Sequence, residues 1–225
     1  DYDKETSSAF EIGVKGNLAP GISFELAGYY TDVEDSQFFE FFVGPFGLLR
    51  VVSNIDKVNF KGIEGSFNAR VVSGFSVFGS ANYTDSEIKR NSARPYTVGN
   101  VAPATAEYTV NLGAQYDGQV TDDFGILLRA DYRLTGPTSF HTVQNNDVPT
   151  IFGLGANYTN SERDAFGVLN LRGGIKADNW SLVAFATNVT KERYLAEVIV
   201  APEFGGAFVA PGALRTIGVE ATFKF

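Results

Sequence analysis

Cysteine and methionine are both missing from these 225 residues, and histidine and tryptophan occur once each, as His141 and Trp180. Without cysteine there is no disulfide and no thiolate metal site, a composition suited to an oxidising compartment where stray thiols are a liability. One histidine leaves no credible Ser/His/Asp grouping and no imidazole set for a metal. The Gly-x-Gly at Gly153 and Gly155 lacks the strand-helix setting of a nucleotide site. No catalytic residue and no metal set is assigned, and the reading is of a protein that is not an enzyme. Basic residues are outnumbered, 18 against 26 acidic ones, and the formal charge of -8 has the wrong sign for a nucleic-acid partner. No apolar run approaches the roughly 18 residues of a spanning helix. Membrane strands are not excluded, because each needs only about 9 to 11 residues of alternating polarity. With no initiator Met and no targeting segment, the chain reads as a mature or excised piece.

What is abundant is aromatic and glycine: 20 Phe, 10 Tyr and 24 Gly. Apolar residues recur with period 2 almost everywhere, which predicts strands. In "FEIGVKGN" Phe10, Ile12 and Val14 alternate with Glu11, Gly13 and Lys15. In "ISFELAGYYTD" Ile22, Phe24, Leu26, Gly28 and Tyr30 take one face, as do Ile63, Gly65, Phe67, Ala69 and Val71 further on. Similar sets follow at Phe75 to Tyr83 with Phe78 as the exception, then at Tyr108 to Tyr116, Ile126 to Leu134 and Leu169 to Ile175. "WSLVAFATNV" is apolar on both faces and its facing stays open, whereas "IGVEATFKF" alternates to its last residue. About nine strands are expected.

One apolar face and one charged face fits both a soluble sandwich and an outer-membrane barrel. Connection lengths favour the barrel. Short turns (18 to 21, 73 to 74, 177 to 179) alternate with long loops (89 to 103, 136 to 164, 193 to 213), the asymmetry of periplasmic turns and extracellular loops. "GPFG" at 44 to 47 tips a hairpin whose strand from Ile22 to Val43 is about twice the membrane's need, so its height stands in for loop length. This parity places Phe24, Phe75, Tyr116, Trp180 and Phe225 near the short-turn end, and Phe10, Tyr30, Tyr83, Tyr132 and Phe166 near the long-loop end, as two aromatic girdles. An odd strand count and two bare edges imply further strands upstream, since lipid does not tolerate an open edge. The expectation is an all-β, antiparallel transmembrane barrel segment.

Five stretches resemble the C-terminal part of the β-barrel of TonB-dependent receptors, in that family's order and over essentially residues 1 to 225. They are "FKGIEGSFNARV" at 60 to 71, "VGNVAPATAEYTVNLGAQY" at 98 to 116, "LRADYRLTG", "ATNVTKERYLAE" at 186 to 197 and "APGALRTIGVEATFKF" at 210 to 225. Val189, Lys191 and Leu214 depart from the family pattern. The resemblance implies a barrel of about 22 strands filled by a plug, with a TonB box coupling it to inner-membrane energy; neither plug nor box is visible in this segment. It implies a receptor importing a scarce ligand, most often a ferric siderophore, in the outer membrane of a Gram-negative bacterium. The partners implied are outer-membrane lipid and lipopolysaccharide, the TonB complex through the absent region, and the barrel-assembly machinery through a last strand ending in Phe225. A passive porin and a soluble β-sandwich binding module are the alternatives.

Ligand recognition, on this reading, falls to the loops and the tall hairpin. Phe39, Phe42 and Phe46 with Arg50 form an aromatic patch at the hairpin tip, for ligand or partner contact or for packing against neighbouring loops. Arg94, Tyr96, Phe140, His141, Gln144 and Phe204 are the other candidates; His141 is expected to be a solvated loop residue, with ferric or proton-switch chemistry as the alternative. Asp32, Glu34 and Asp35 are expected to be a solvated face in preference to a Ca²⁺ site. Glu64, Arg70, Arg129, Asp131, Arg133, Arg172 and Glu220 are expected to form an ion-pair lattice on the polar face. Trp180, Phe75, Tyr116, Phe223 and Phe225 are assigned to the membrane girdle and to assembly.

Overall fold

The computed structural model describes residues 2–45, 47–144, 147–149, 155–158, 161–201 and 206–224. Its main sheet runs through β1 (Thr6–Ala19), β2 (Ile22–Gly44), β3 (Gly47–Val72) and β4 (Phe75–Arg90), with β5 (Thr105–Ala106) a short loop strand before β6 (Tyr108–Gln119). After β7 (Gly125–Thr135) come the short loop strands β8 (Thr138–Ser139), β9 (Asp147–Pro149), β10 (Gly155–Asn157) and β11 (Glu162–Arg163). The chain then continues through β12 (Phe166–Lys176), β13 (Trp180–Thr187), β14 (Leu195–Ala201), β15 (Gly206–Pro211) and β16 (Thr216–Phe223). Nine of these form one antiparallel meander in the order β1-β2-β3-β4-β6-β7-β12-β13-β16, the strands that the period-2 pattern predicts.

The register carries one apolar face across the whole sheet. Rows such as Ile12, Gly28, Ile63, Tyr83 and Tyr108, or Leu128, Gly173 and Ala184, stay in phase from strand to strand. This face is bare: Ile12 is 82%, Phe10 72% and Ile217 68% exposed. No second sheet packs on it among the described residues, as the sandwich alternative would require, and a lipid solvent explains the pattern. The strand with ambiguous facing resolves by the same register. Trp180, Leu182, Ala184 and Ala186 continue the apolar row, while Val183 and Phe185 turn to the polar face, where Val183 is buried.

Short connections gather at one end. Gly74 closes the β3–β4 turn at φ +77, and its carbonyl accepts a hydrogen bond from the Asp117 amide at 2.7 Å. A Cβ there would sit 2.9 Å from the Asp117 carbonyl oxygen, so the turn needs glycine twice over. Phe75 faces Tyr116 and Trp180 faces Phe223 in register at this end, with Phe124 edge-on to Trp180 at 6.2 Å. Phe225 lies outside the described residues. At the other end Phe10, Tyr30, Tyr83 and Tyr132 lie on the apolar face, but Phe166 does not. It pairs with Thr135 on the polar parity, because its ring stacks on Tyr194 at 3.9 Å and 6° beneath the loops.

β2 and β3, of 23 and 26 residues, rise well beyond the 11 residues of β7 and β12. Nearly all buried apolar side chains lie up there, in two clusters: Ile55, Val58, Ile88 and Ala102, and Val143, Tyr158, Val198 and Val200. The described core is thus a dome of loops above a membrane-spanning sheet.

Candidate functional site

The dome is held by an ion pair that joins hairpin to loop. Glu40 lies between Phe39 and Phe41 on β2 and is 7% exposed. Both guanidinium Nη atoms of Arg94 donate to its carboxylate, and Nη1 also donates to Thr142 Oγ1 at 3.2 Å. Arg94 opens the one-turn 3-10 helix Pro95–Thr97, and its own amide donates to Asn91 Oδ1 at 3.1 Å. Three segments distant in sequence therefore meet at one bidentate contact, the strongest geometry open to this pair.

His141 sits beside it and is not the solvated loop residue expected from sequence: it is 7% exposed. Its ring lies 4.7 Å from that of Tyr158 and 5.5 Å, edge-on, from that of Phe38. The long loop between β7 and β12 folds back on the hairpin and removes the imidazole from water. Nδ1 accepts the Val143 N–H at 3.0 Å, which leaves the proton on Nε2. Burial, reinforced by the Arg94 charge, pushes the His141 pKa down to about 3, so the ring is neutral. Gln144 closes the loop by donating to the carbonyls of Val101, at 2.8 Å, and His141, at 3.1 Å.

The candidate residues consequently divide. Arg94 and His141 are structural anchors in this conformation, and Phe140 is half-buried against the Val143 cluster with Arg163 over its ring at 5.3 Å. Phe39 and Tyr96 remain open, 46% and 49% exposed, and Arg50 stacks on Phe39 at 4.1 Å. The Phe42 backbone pairs with Leu49 in β3. Phe46 and Phe204 lie outside the described residues. In the acidic stretch on β2, Asp32 pairs with Lys57 at 3.3 Å and accepts the Tyr30 hydroxyl, while Glu34 is exposed. No grouping of His, Asp or Glu able to hold a metal occurs among the described residues.

The roles of two residues escape sequence reasoning. Glu40 is the lone charge in a Phe-Phe-Glu-Phe-Phe run, and that isolation is the signal that a buried partner awaits it. Asn188, 2% exposed at φ +48, clasps the connection after β13: its side chain donates to the carbonyls of Glu192 and Ala213 and accepts the Glu192 N–H. On the polar face the expected lattice is partly present, as Arg129–Asp131 at 2.7 Å and Arg172–Glu220 at 2.9 Å, with Lys176–Asp117 added. Phe78, the exception to its strand's alternation, lies on this face beneath Arg129, whose guanidinium stands 4.9 Å from the ring centroid.

A one-sided nine-stranded meander, aromatic at both edges of its apolar band and crowned by folded loops, defines a segment of an outer-membrane β-barrel. More narrowly, the chain belongs to the TonB-dependent receptor-like β-barrel family, whose sequence model matches residues 1–189. Its place is accordingly the Gram-negative outer membrane. Among solved structures it is similar to the ferric yersiniabactin uptake receptor FyuA from Yersinia pestis, with TM-score 0.77 and 19% identity over 98% of this chain and 30% of that one. BauA, the ferric preacinetobactin receptor from Acinetobacter baumannii, matches with TM-score 0.72 and 17% identity over 97% of this chain and 29% of that one. The ferric-catecholate import receptor Fiu from K12 E. coli matches with TM-score 0.70 and 22% identity over 100% and 28%. These likenesses are of fold, and the chain spans less than a third of each of those proteins. No curated protein sequence is matched.

Proposed function

We propose that this sheet is the C-terminal portion of a larger plugged barrel, and that the whole protein is an outer-membrane receptor importing a scarce ligand, a ferric siderophore, by TonB-coupled transport. The observation that carries this reading is the amphipathic nine-stranded sheet topped by a packed dome. Such a sheet cannot stand in lipid with bare edges, and among the described residues β1 and β16 each pair on one side only. Further strands must close it. The ligand class is carried over from the fold neighbours, of which FyuA, BauA and Fiu are ferric-siderophore or ferric-catecholate receptors. A copper transporter, OprC, also shares the fold.

Within the segment, the exposed Phe39–Arg50 stack and Tyr96 are the groups best placed to meet an anionic ferric complex, through ring contact and charge. The test is uptake of radiolabelled ferric siderophores by iron-starved cells that express the full-length gene and lack their own receptors, with and without a working TonB. TonB-dependent accumulation is the expected result. Solute entry that ignores TonB would favour a passive porin and overturn the proposal.

A further inference from the structure

Among the described residues, the buried side-chain polar atoms that lack a hydrogen-bond partner all belong to the join between β7 and the loop that follows it: Thr135 Oγ1, Ser161 Oγ and Arg163 Nε. Thr135 ends β7 opposite Phe166, on the polar face, and Arg163 pairs with Thr138 in β8. The Ser161 carbonyl accepts the Phe140 N–H at 2.7 Å. Buried polar groups without partners are uncommon, and a group of them asks for a reason.

Arg163 is the charge at this join. Its guanidinium stands 5.3 Å from the ring centroid of Phe140 and 4.8 Å from that of Phe166, which in turn stacks on Tyr194. Nη1 donates to the Leu195 carbonyl at 3.0 Å and Nη2 to Thr138 Oγ1 at 2.7 Å. These acceptors are neutral, and no ion pair involves Arg163 among the described residues. Burial, and then the like charge of Arg133, lower its pKa from the ordinary arginine value. Arg133 lies on the polar face of β7 between Asn111 and Val168, exposed, and it too has no ion pair among the described residues. The carboxylate next to it on that face of the strand, Asp131, is already taken: Arg129 Nε and Nη2 each donate to it at 2.7 Å. Two arginines within electrostatic reach, one of them half-buried and neither with a counter-charge, cost folding energy that packing does not explain.

We propose that Arg133 and Arg163 form an oxyanion site beneath the dome, which takes a carboxylate of the incoming ferric complex. Arg133 keeps its planar fork of donors free, the geometry that grips a carboxylate with two parallel hydrogen bonds. Arg163, fixed by carbonyls and rings, supplies positive potential that needs no reorganisation when the anion arrives. Thr135, two residues along the same face from Arg133 and about 7 Å away, holds a hydroxyl with no other partner. The site deepens the receptor reading and rests on it: the exposed Phe39–Arg50 stack and Tyr96 meet the complex first, and this pair, at the top of the sheet, selects for its acidic group.

The test uses the purified full-length protein in detergent and low-salt buffer, with citrate, a small tricarboxylate, as the probe. Hydrogen exchange is followed in residues 133–140 and 161–166 as citrate is added, and the wild type is expected to gain protection there. Arg133→Gln should raise the half-saturating citrate concentration about tenfold. Arg133→Lys, which keeps the charge and loses the fork, should give a smaller shift. Arg70→Gln removes the same charge from the polar face of β3 at the short-turn end and should titrate as wild type. Heat-modifiable gel mobility shows which variants have folded, and if Arg133→Gln does not fold, Arg133→Lys against Arg70→Gln decides. A wild type that does not respond to citrate, as when a carboxylate from elsewhere in the full-length protein fills the site, would overturn the proposal. Equal shifts in the Arg133 and Arg70 variants would overturn it as well. The titration needs no TonB, so TonB-dependent uptake without a citrate response removes this site alone, and a citrate response without TonB-dependent uptake removes the transport reading alone.

Discussion

Glu40 and Arg94 show how much a single contact between distant residues fixes in this molecule. Arg94→Ala leaves the buried Glu40 carboxylate without its bidentate cation, at a cost of about 3–5 kcal/mol to the dome. Hydrogen exchange in residues 91–104 is expected to rise accordingly, and the apolar pair Glu40→Leu with Arg94→Met should restore most of the protection. His141 adds a pH dependence whose sign follows from its lowered pKa. The exposed, unfolded loop binds a proton near the ordinary 6.5 and the folded one only near 3. Stability of the dome is therefore full above pH 6.5 and falls as pH drops through that window, by up to roughly 5 kcal/mol. His141→Asn, which keeps an acceptor for the Val143 N–H, should flatten that acid sensitivity in loop proteolysis measured from pH 7 to 4. Sequence alone pointed to Arg94 and His141 as candidates but misread the setting of His141, because burial here comes from a loop folding over a hairpin some 100 positions away in the chain. Local pattern carries no record of that contact.

At the level of elements, the strands and their facing were legible in the sequence almost throughout, since period-2 alternation reports directly on a sheet with two unlike solvents. It fell short where a side chain answers to a third partner. Phe166 obeys Tyr194, Phe78 lies beneath Arg129, and β13 is apolar on both faces because Val183 and Phe185 also pack on the inner side. The turn after β13 was visible as a motif but not as a clasp. Asn188→Ala removes three side-chain hydrogen bonds from a buried site held at positive φ. We expect a loss of about 2–4 kcal/mol, seen as a lower urea midpoint for heat-modifiable mobility. Leu171, opposite Ala130 and Ala186 on the apolar face, makes a separate point about solvent. Leu171→Arg should cost about 2–4 kcal/mol in the same assay, the penalty of a cation at mid-membrane, while Gln115→Arg on the polar face should cost far less.

The whole molecule divides by solvent. The sheet has lipid on one side and a polar face on the other, and among the described residues the clusters of buried apolar side chains lie in the dome. Loop parity and girdle placement made this division readable before any contact was known; the interlocking of the dome emerges only from three-dimensional register. The most direct test is to place a spin label, one position at a time, at residues 126 to 132 of β7 in the full-length protein held in outer-membrane vesicles. The segment contributes no native cysteine to interfere with labelling. Labels at Ile126, Leu128, Ala130 and Tyr132 should collide freely with oxygen dissolved in lipid, and those at Leu127, Arg129 and Asp131 should not. An aqueous nickel chelate reaching both sets equally, or collision rates without period-2 alternation, would contradict a lipid-facing sheet.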